Sequence, residues 1–274
     1  MDKILLIDGH NSIWRACIKF PGTSTDEDDS IIFTFNFFRN LRPLIETFSP
    51  DKCFVVLEGH PQFRYDLFPD YKANRIIKQA SRQAANEKFL AAKDIILPLL
   101  NYLPITLARA ANYEADDVIA TLCENMKIED ITVLSNDSDY IQLLQRGYSN
   151  IKIFNPIKKV YMEAPSYPYV AWKCLAGDKS DNIPSLLKPK KALEAATTPE
   201  VFKKFMEVEE NRANFSVNRQ LIEFKPVPED EIFLVEGNRN FDKLREEFAN
   251  MKFETIINDK SWEKYQSTFE CLKY

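Results

Sequence analysis

Three short apolar runs, each closing on or running into acid, constrain this chain more than any other feature. They are Lys3 to Asp8, Cys53 to Glu58, and Asp130 to Ser135, the last followed at once by Asp137 and Asp139. Each is bounded by polar residues or glycine and followed by a longer stretch of helical character, such as Ile31 to Thr47 or Tyr113 to Met126. Strands alternating with helices predict a parallel α/β sheet with crossovers covering both faces. Ligands of such sheets bind at the carboxyl ends of the strands, so the terminal acids should converge there. Two more strand candidates, Ile151 to Asn155 and Val160 to Ala164, flank Pro156 and suggest an edge hairpin; from Ser166 onward the chain reads as mostly helical. The expected division is an N-terminal α/β core over residues 1–165 and a C-terminal helical region over 166–274, with chain length ample for a buried core.

Two further acidic groups join the strand ends. Glu114, Asp116 and Asp117 open a helix, where the macrodipole favours acids. Asp178 and Asp181 lie in Gly177-Asp178-Lys179-Ser180-Asp181-Asn182-Ile183-Pro184. The chain has six glycines, and Gly9, Gly59 and Gly177 adjoin these acids, which predicts tight turns at positive φ that aim carboxylates. Taken singly, each group has an ordinary explanation as a turn cap, a helix-start acid or an Asx turn. Taken together they do not, because five acidic sites gathered unpaired would repel strongly. Two histidines and five scattered cysteines, with no C-x-x-C pair, exclude a multi-histidine or cysteine zinc site and a disulfide framework. Oxygen-only ligation then points to Mg²⁺ or Mn²⁺, and two such ions would stabilise both the attacking and leaving oxygens of a phosphodiester.

Charge distribution is compatible with nucleic acid despite a net charge of −5. Residues 205–274 hold 15 acids and 10 bases and account for the whole imbalance. Residues 71–93 carry six bases (Lys72, Arg75, Lys78, Arg82, Lys88, Lys93) against Glu87 alone, either a solvated helix face or a phosphate-binding stretch. No apolar run approaches the roughly 18 residues of a membrane helix, and the N-terminus meets an acid too early for a signal peptide. A cytoplasmic monomer with no membrane association is expected.

The motifs resemble the 5′-nuclease superfamily: flap endonucleases, the 5′→3′ exonuclease domain of bacterial DNA polymerase I, and bacteriophage 5′-exonuclease/RNase H proteins. The resemblance rests on Leu6-Ile7-Asp8-Gly9, Phe63-Arg64 with Tyr71-Lys72-Ala73-Asn74-Arg75, Tyr113-Glu114-Ala115-Asp116-Asp117, Asn136-Asp137-Ser138-Asp139 and the Gly177 to Pro184 segment, in the family's order. It implies a PIN-like parallel sheet flanked by helices, with a helical arch over 71–93. It implies two Mg²⁺, replaceable by Mn²⁺. Asp8, Glu58, Glu114 and Asp116 match positions around the first metal; Asp137, Asp139, Asp178 and Asp181 match those of the second metal region; Asp117 matches an outer member. Lys72 and Arg75 match the basic pair that contacts the scissile phosphate, and Tyr71 could stack on a terminal base, with Arg64, Lys78 and Arg82 as further substrate contacts.

The chain departs from the family pattern twice. Glu58 stands where most members have aspartate, so a metal ligand with a shifted carboxylate is expected. After Pro184 the family's glycine-rich helix-hairpin, which grips duplex phosphates and often a K⁺, is reduced to Ser185-Leu186-Leu187-Lys188-Pro189-Lys190-Lys191. Lacking glycine, it puts K⁺ dependence in doubt and leaves Lys188, Lys190 and Lys191 to hold the duplex electrostatically. The expected activity is metal-dependent cleavage at 5′ flaps, 5′ ends or RNA primers (RNA–DNA hybrid included) in replication or repair, with a single-strand-binding protein as a candidate partner. The competing expectations are a structure-specific DNA-binding protein with weak or no catalysis, and, more remotely, a PIN-type ribonuclease.

Overall fold

The computed structural model describes residues 1–17, 29–75 and 83–273. Seven strands form one sheet: β1 Lys3–Asp8, β2 Lys52–Leu57, β3 Thr106–Arg109, β4 Asp130–Leu134, β5 Ile151–Asn155, β6 Val160–Tyr161 and β7 Phe233–Glu236. Their order is β6-β5-β4-β1-β2-β3-β7. The five inner strands run parallel, and the two edges, β6 on β5 and β7 on β3, are antiparallel. The expected edge hairpin is therefore present, and β5 continues the parallel sheet through its pairing with β4. Strands β3 and β7 escaped the sequence reading because each has only four residues.

Both faces of β1 are buried, which explains its unbroken apolar run. Leu5 and Ile7 face a core formed with α1 Gly9–Ala16, α2 Asp29–Phe48 and α4 Gln83–Leu100, whereas Ile4 and Leu6 face α5 Ala115–Asn125. A short α3 Gln62–Leu67 follows β2. Past the small α6 Ile141–Leu144 lies a third cluster, built from α7 Tyr169–Ala176, α8 Pro189–Thr197, α9 Pro199–Met206 and α10 Glu209–Ile222. The chain then returns to the sheet. Helices α11 Phe241–Asn250, α12 Glu254–Ile257 and α13 Asp259–Glu270 pack on α2, with Phe248 against Phe38 at 5.0 Å between ring centroids. The acidic C-terminal helices thus pack on the α/β core, while the third cluster also takes in Tyr65, Leu67, Phe68 and Tyr71. No described helix is long and apolar enough to cross a membrane.

Glycine serves two different purposes near the acids. Gly177 has φ +72°, as a positive-φ turn requires. Gly59 does not; a Cβ there would lie 2.0 Å from the Ala110 carbonyl oxygen, so close backbone approach is what excludes a side chain.

Candidate metal and phosphate site

The carboxyl ends of β1, β2 and β4 deliver their acids to one cleft of about 280 Å³. Its wall carries Asp8, Glu58, Asp116, Asp137, Asp139 and Asp181, with Lys72 and Arg75 among them. Each acid is fixed by its local backbone. Asp8 ends β1 and caps α1, its Oδ1 accepting from the Asn11 N–H (3.0 Å) and its Oδ2 from Ser135 Oγ (2.9 Å). Asp137 accepts from the Asp139 N–H (2.9 Å) in the turn after β4. Glu58 accepts from the Ala115 N–H (2.8 Å) at the start of α5, so its extra methylene reaches the positive end of that helix.

Behind the cleft, acids and bases interlock. Arg64 is 2% exposed, and its guanidinium forks onto Asp117 at 2.6 and 2.8 Å while Nε donates to the Leu221 carbonyl. Asp117 also accepts from the Lys225 and Glu114 N–H groups. Arg64 and Asp117 therefore brace α3 against α5 and the end of α10, behind the cleft surface, Asp117 in the outer position expected of it and Arg64 outside the cleft lining. Tyr71 is likewise buried, its hydroxyl donating to Glu114 at 2.9 Å and its ring packed edge-on against Tyr65. Lys72 pairs with Glu114 and, at 3.8 Å, with Asp181; Arg75 pairs with Asp181. Lys72 sits at φ 56° and Asn182 at φ 60°, a left-handed conformation costly for side-chain-bearing residues. The Lys72 N–H to Asp181 carbonyl bond (2.9 Å) and the Asn74–Asn182 side-chain bond (2.8 Å) hold the two segments together.

Asp178 does not line the cleft. It binds Lys173 (2.7 Å), which also pairs with Asp139 and is itself buried. Sequence reasoning missed Lys173; its signal was a lone base in the otherwise apolar helix Tyr169–Ala176. It also missed His10, Asn11 and Trp14 of the cleft wall, which read as ordinary helix residues. Lys188, Lys190 and Lys191 are exposed at the start of α8 and lie outside the cleft lining. The N–H groups of Leu186 and Leu187 both turn inward to the Leu175 carbonyl (2.9 Å each), so the glycine-free loop spends them on its own structure. Lys78 and Arg82 lie outside the described residues.

Electrostatics single out the cleft. Burial raises Asp8 to about 6, with Asp137 adding to the effect, and raises Glu58 to about 7, reinforced by Glu114. Burial likewise pushes Asp116 well above the ordinary carboxylate range and Asp137 upward. Asp178 moves the other way, to about 2: burial opposes its charge, but Lys173 and the Ser180 hydrogen bonds outweigh it. Burial also disfavours the Lys72 and Lys173 ammonium groups, yet Glu114 and Asp181, and Asp139 and Asp178, hold both firmly protonated. His10 falls to about 4 through burial and the fields of Lys93, Arg75 and Lys72.

The donor set fits hard divalent cations. Its ligands are oxygens, and the carboxylates whose proton affinity burial raises are those a cation would help to ionise. The Asn11 side-chain oxygen is buried in the cleft wall with no hydrogen-bond partner among the described residues. No three ligating side chains there converge on one point among the described residues, their nearest charged partners being lysine and arginine.

Known proteins resemble this chain in sequence and in fold. The family model described as 5′-3′ exonuclease, N-terminal resolvase-like domain, matches residues 3–168. A 5′-3′ exonuclease of Bacillus subtilis is 33% identical over 205 residues, covering 68% of this chain and 66% of that protein. The thermostable DNA polymerase I of Thermus thermophilus is 28% identical, covering 67% of this chain. The chain spans about a fifth of that polymerase, the match covering 22% of its length. Among solved structures, the bacteriophage T5 D15 flap endonuclease, in a complex with DNA and metal ions, superposes with a TM-score of 0.62 at 16% identity over 98% of both chains. Human GEN1 in complex with Holliday junction DNA gives 0.56 at 16% identity, covering 97% of this chain and 71% of that one. At such identities the likeness establishes a shared fold.

Proposed function

The chain belongs to the 5′-3′ exonuclease family defined by that N-terminal resolvase-like domain, and from that premise we propose that it is a metal-dependent, structure-specific 5′-nuclease. The observation that carries the proposal is the single cleft joining six carboxylates to Lys72 and Arg75. Its substrate is DNA with a 5′ flap, a 5′ single strand or an RNA primer, cut to leave a 5′-phosphate and a 3′-hydroxyl. Asp8, Glu58, Asp116, Asp137, Asp139 and Asp181 would hold two Mg²⁺, or Mn²⁺ in their place, with Glu114 and Asp178 supporting them through Lys72 and Lys173. When bound, the ions supply an ionised water at neutral pH and neutralise phosphoryl charge.

The chain's own residues do the rest. Lys72 and Arg75 present cations to the non-bridging phosphate oxygens, where charge builds during in-line attack. Both line the cleft, and they are the residues we expect a 5′ strand to meet as it enters. The 166–222 helical unit holds the duplex through Lys188, Lys190 and Lys191, whose grip is electrostatic since the loop's N–H groups are spent internally. The enzyme works as a monomer in the cytoplasm, and its replication context makes a single-strand-binding protein a natural partner.

The test is cleavage of a 5′-labelled flap duplex in Mg²⁺, in Mn²⁺ and in EDTA, beside Asp139→Asn. Metal-dependent cutting near the junction that the variant loses supports the proposal. Tight flap binding without cutting in either metal would replace it with a structure-specific binding protein, a reading favoured by the engagement of Glu58 with α5.

A further inference from the structure

The sheet's outer edge at β7 carries three consecutive exposed apolar residues, Phe233 (64% exposed), Leu234 (53%) and Val235 (52%). A strand with neither face covered is unusual, because an edge of this kind invites pairing with another chain. Here it is also rigidly placed. Gly237 donates to the Ile105 carbonyl (3.1 Å), Asn238 to the Asn101 carbonyl (2.7 Å), and a side chain at 237 would collide with Leu103 at 1.8 Å. The Gly237 bond fixes the ladder's phase: with Val235 opposite Leu107 and Phe233 opposite Arg109, those two residues exchange hydrogen bonds with β3. The N–H and C=O groups of Leu234 and Glu236 therefore face outward, and among the described residues no strand pairs with them.

Charge decides what kind of strand would fit. Residues 229–236 hold Glu229, Asp230, Glu231 and Glu236 and no base, with Arg109 on the neighbouring strand as a partial offset. A second copy pairing antiparallel with Leu234 opposite its own counterpart would set Glu236 of each copy opposite Ile232 of the other, next to Glu231. Repulsion of that kind disfavours self-association and favours a cationic strand. We propose that β7 is a docking edge for an extended segment of another protein, in which apolar residues alternate with lysine or arginine, added antiparallel or parallel as an eighth strand. Main-chain bonds to Leu234 and Glu236 supply the pairing, the apolar triad supplies contact, and the flanking acids select basic partners. This surface lies outside the carboxylate cleft, so it can be occupied while a nucleic acid is held.

The experiment uses the whole protein and a fluorescein-labelled ten-residue peptide alternating lysine with valine and isoleucine, followed by fluorescence anisotropy. Three controls separate strand pairing from mere attraction to an acidic protein: the same peptide N-methylated at alternate amides, a peptide with glutamate for lysine, and the Leu234→Pro protein. Proline at 234 removes an outward N–H without breaking a bond to β3. Each control should weaken binding at least tenfold. Leu234→Lys, an exposed change that keeps the backbone N–H, should weaken it as well and guards against misfolding of the proline variant. In parallel, amide exchange at Leu234 and Glu236 should slow at least tenfold on adding the peptide. Equal binding of the N-methylated peptide, or unchanged exchange at those two amides, would overturn the proposal. So would a dimer of the free protein, seen by sedimentation and abolished by Leu234→Pro, which would assign the edge to a second copy. Flap cleavage by both variants should match the parent, which separates this outcome from any failure of the nuclease reading.

Discussion

Raising the pH of the metal-free protein from 5 to 8 should cost stability, and a divalent cation should restore it. A carboxylate whose folded pKa lies above its unfolded value stabilises the fold fully below the unfolded pKa, and that contribution disappears as pH rises through the folded pKa. Asp8, raised from 3.8 to about 6, and Glu58, raised from 4.5 to about 7, are groups of this kind. Above pH 5 they lose about 1 and 2 units of favourable protonation, or roughly 4 kcal/mol together at about 1.4 kcal/mol per unit. His10 works in the opposite sense. Held near 4 in the fold against 6.5 when unfolded, it makes stability rise from pH 5 to 6.5 by roughly 2 kcal/mol. The net loss is on the order of 2 kcal/mol, to which the raised Asp116 and Asp137 add. Asp178, depressed to about 2, loses its contribution only as pH falls below about 4 and stays outside this window. Urea unfolding in EDTA at pH 5 and pH 8 measures the loss. Adding Mg²⁺ or Mn²⁺ should stabilise more at pH 8 than at pH 5. The same addition to weakly buffered protein at pH 6 should release about one to two protons. Chelated protein equally stable at both pH values, or ion binding with no proton release at pH 6, would refute the reasoning.

Asp139→Asn should abolish flap cleavage while leaving flap affinity within a few-fold; retained turnover would remove Asp139 from the metal site. Arg64→Leu should destabilise the protein by about 3–5 kcal/mol, because it strands the buried Asp117 carboxylate, and urea midpoints with and without the change measure it. If its denaturation midpoint matches the parent's, Arg64 is not the brace described above. Replacing Lys190 and Lys191 together by alanine should weaken binding to duplex-containing flaps and lower the slope of log affinity against log salt by about 2. A slope identical to the parent's would make those lysines a solvated face.

Legibility in the sequence followed burial and element length. β1, β2 and β4 could be read because their residues are buried on both faces and form unbroken apolar runs ending in acids. β7 could not, because it has only four residues and its apolar side chains are exposed. Residue types that burial penalises most, such as Asp8 and Asp137, pointed to the cleft correctly. Arg64, Tyr71 and Asp117 sit behind the cleft, their polar groups satisfied by one another or by Glu114, and no local pattern reveals their burial. Lys173 was missed for the same reason: its partners, Asp139 and Asp178, come from segments on either side of it in sequence.

Those internal cations explain why so acidic a cleft can persist without collapsing outward. Nine carboxylates, from Asp8 to Asp181, stand in or behind it against Arg64, Lys72, Arg75 and Lys173. Four cations cannot neutralise nine acids, and the excess raises the proton affinity of Glu58, Asp116 and Asp137, on top of what burial does there and at Asp8. The two lysines differ from any protons held there in one respect: each bridges acids from separate segments, Lys72 joining Glu114 to Asp181 and Lys173 joining Asp139 to Asp178. They set the spacing of the walls, while the protons only balance charge. Divalent cations can therefore displace the protons at little structural cost and leave the lysine bridges standing. Lys72→Met should on this argument do more than remove a phosphate contact. It should leave Glu114 buried against Arg64 and Tyr71 with one partner fewer, lowering the melting temperature as well as the cleavage rate. Lys72→Arg should restore the former more fully than the latter, since the charge is kept but its reach is changed. A Lys72→Met protein that melts with the parent would show that the bridge does not hold the cleft.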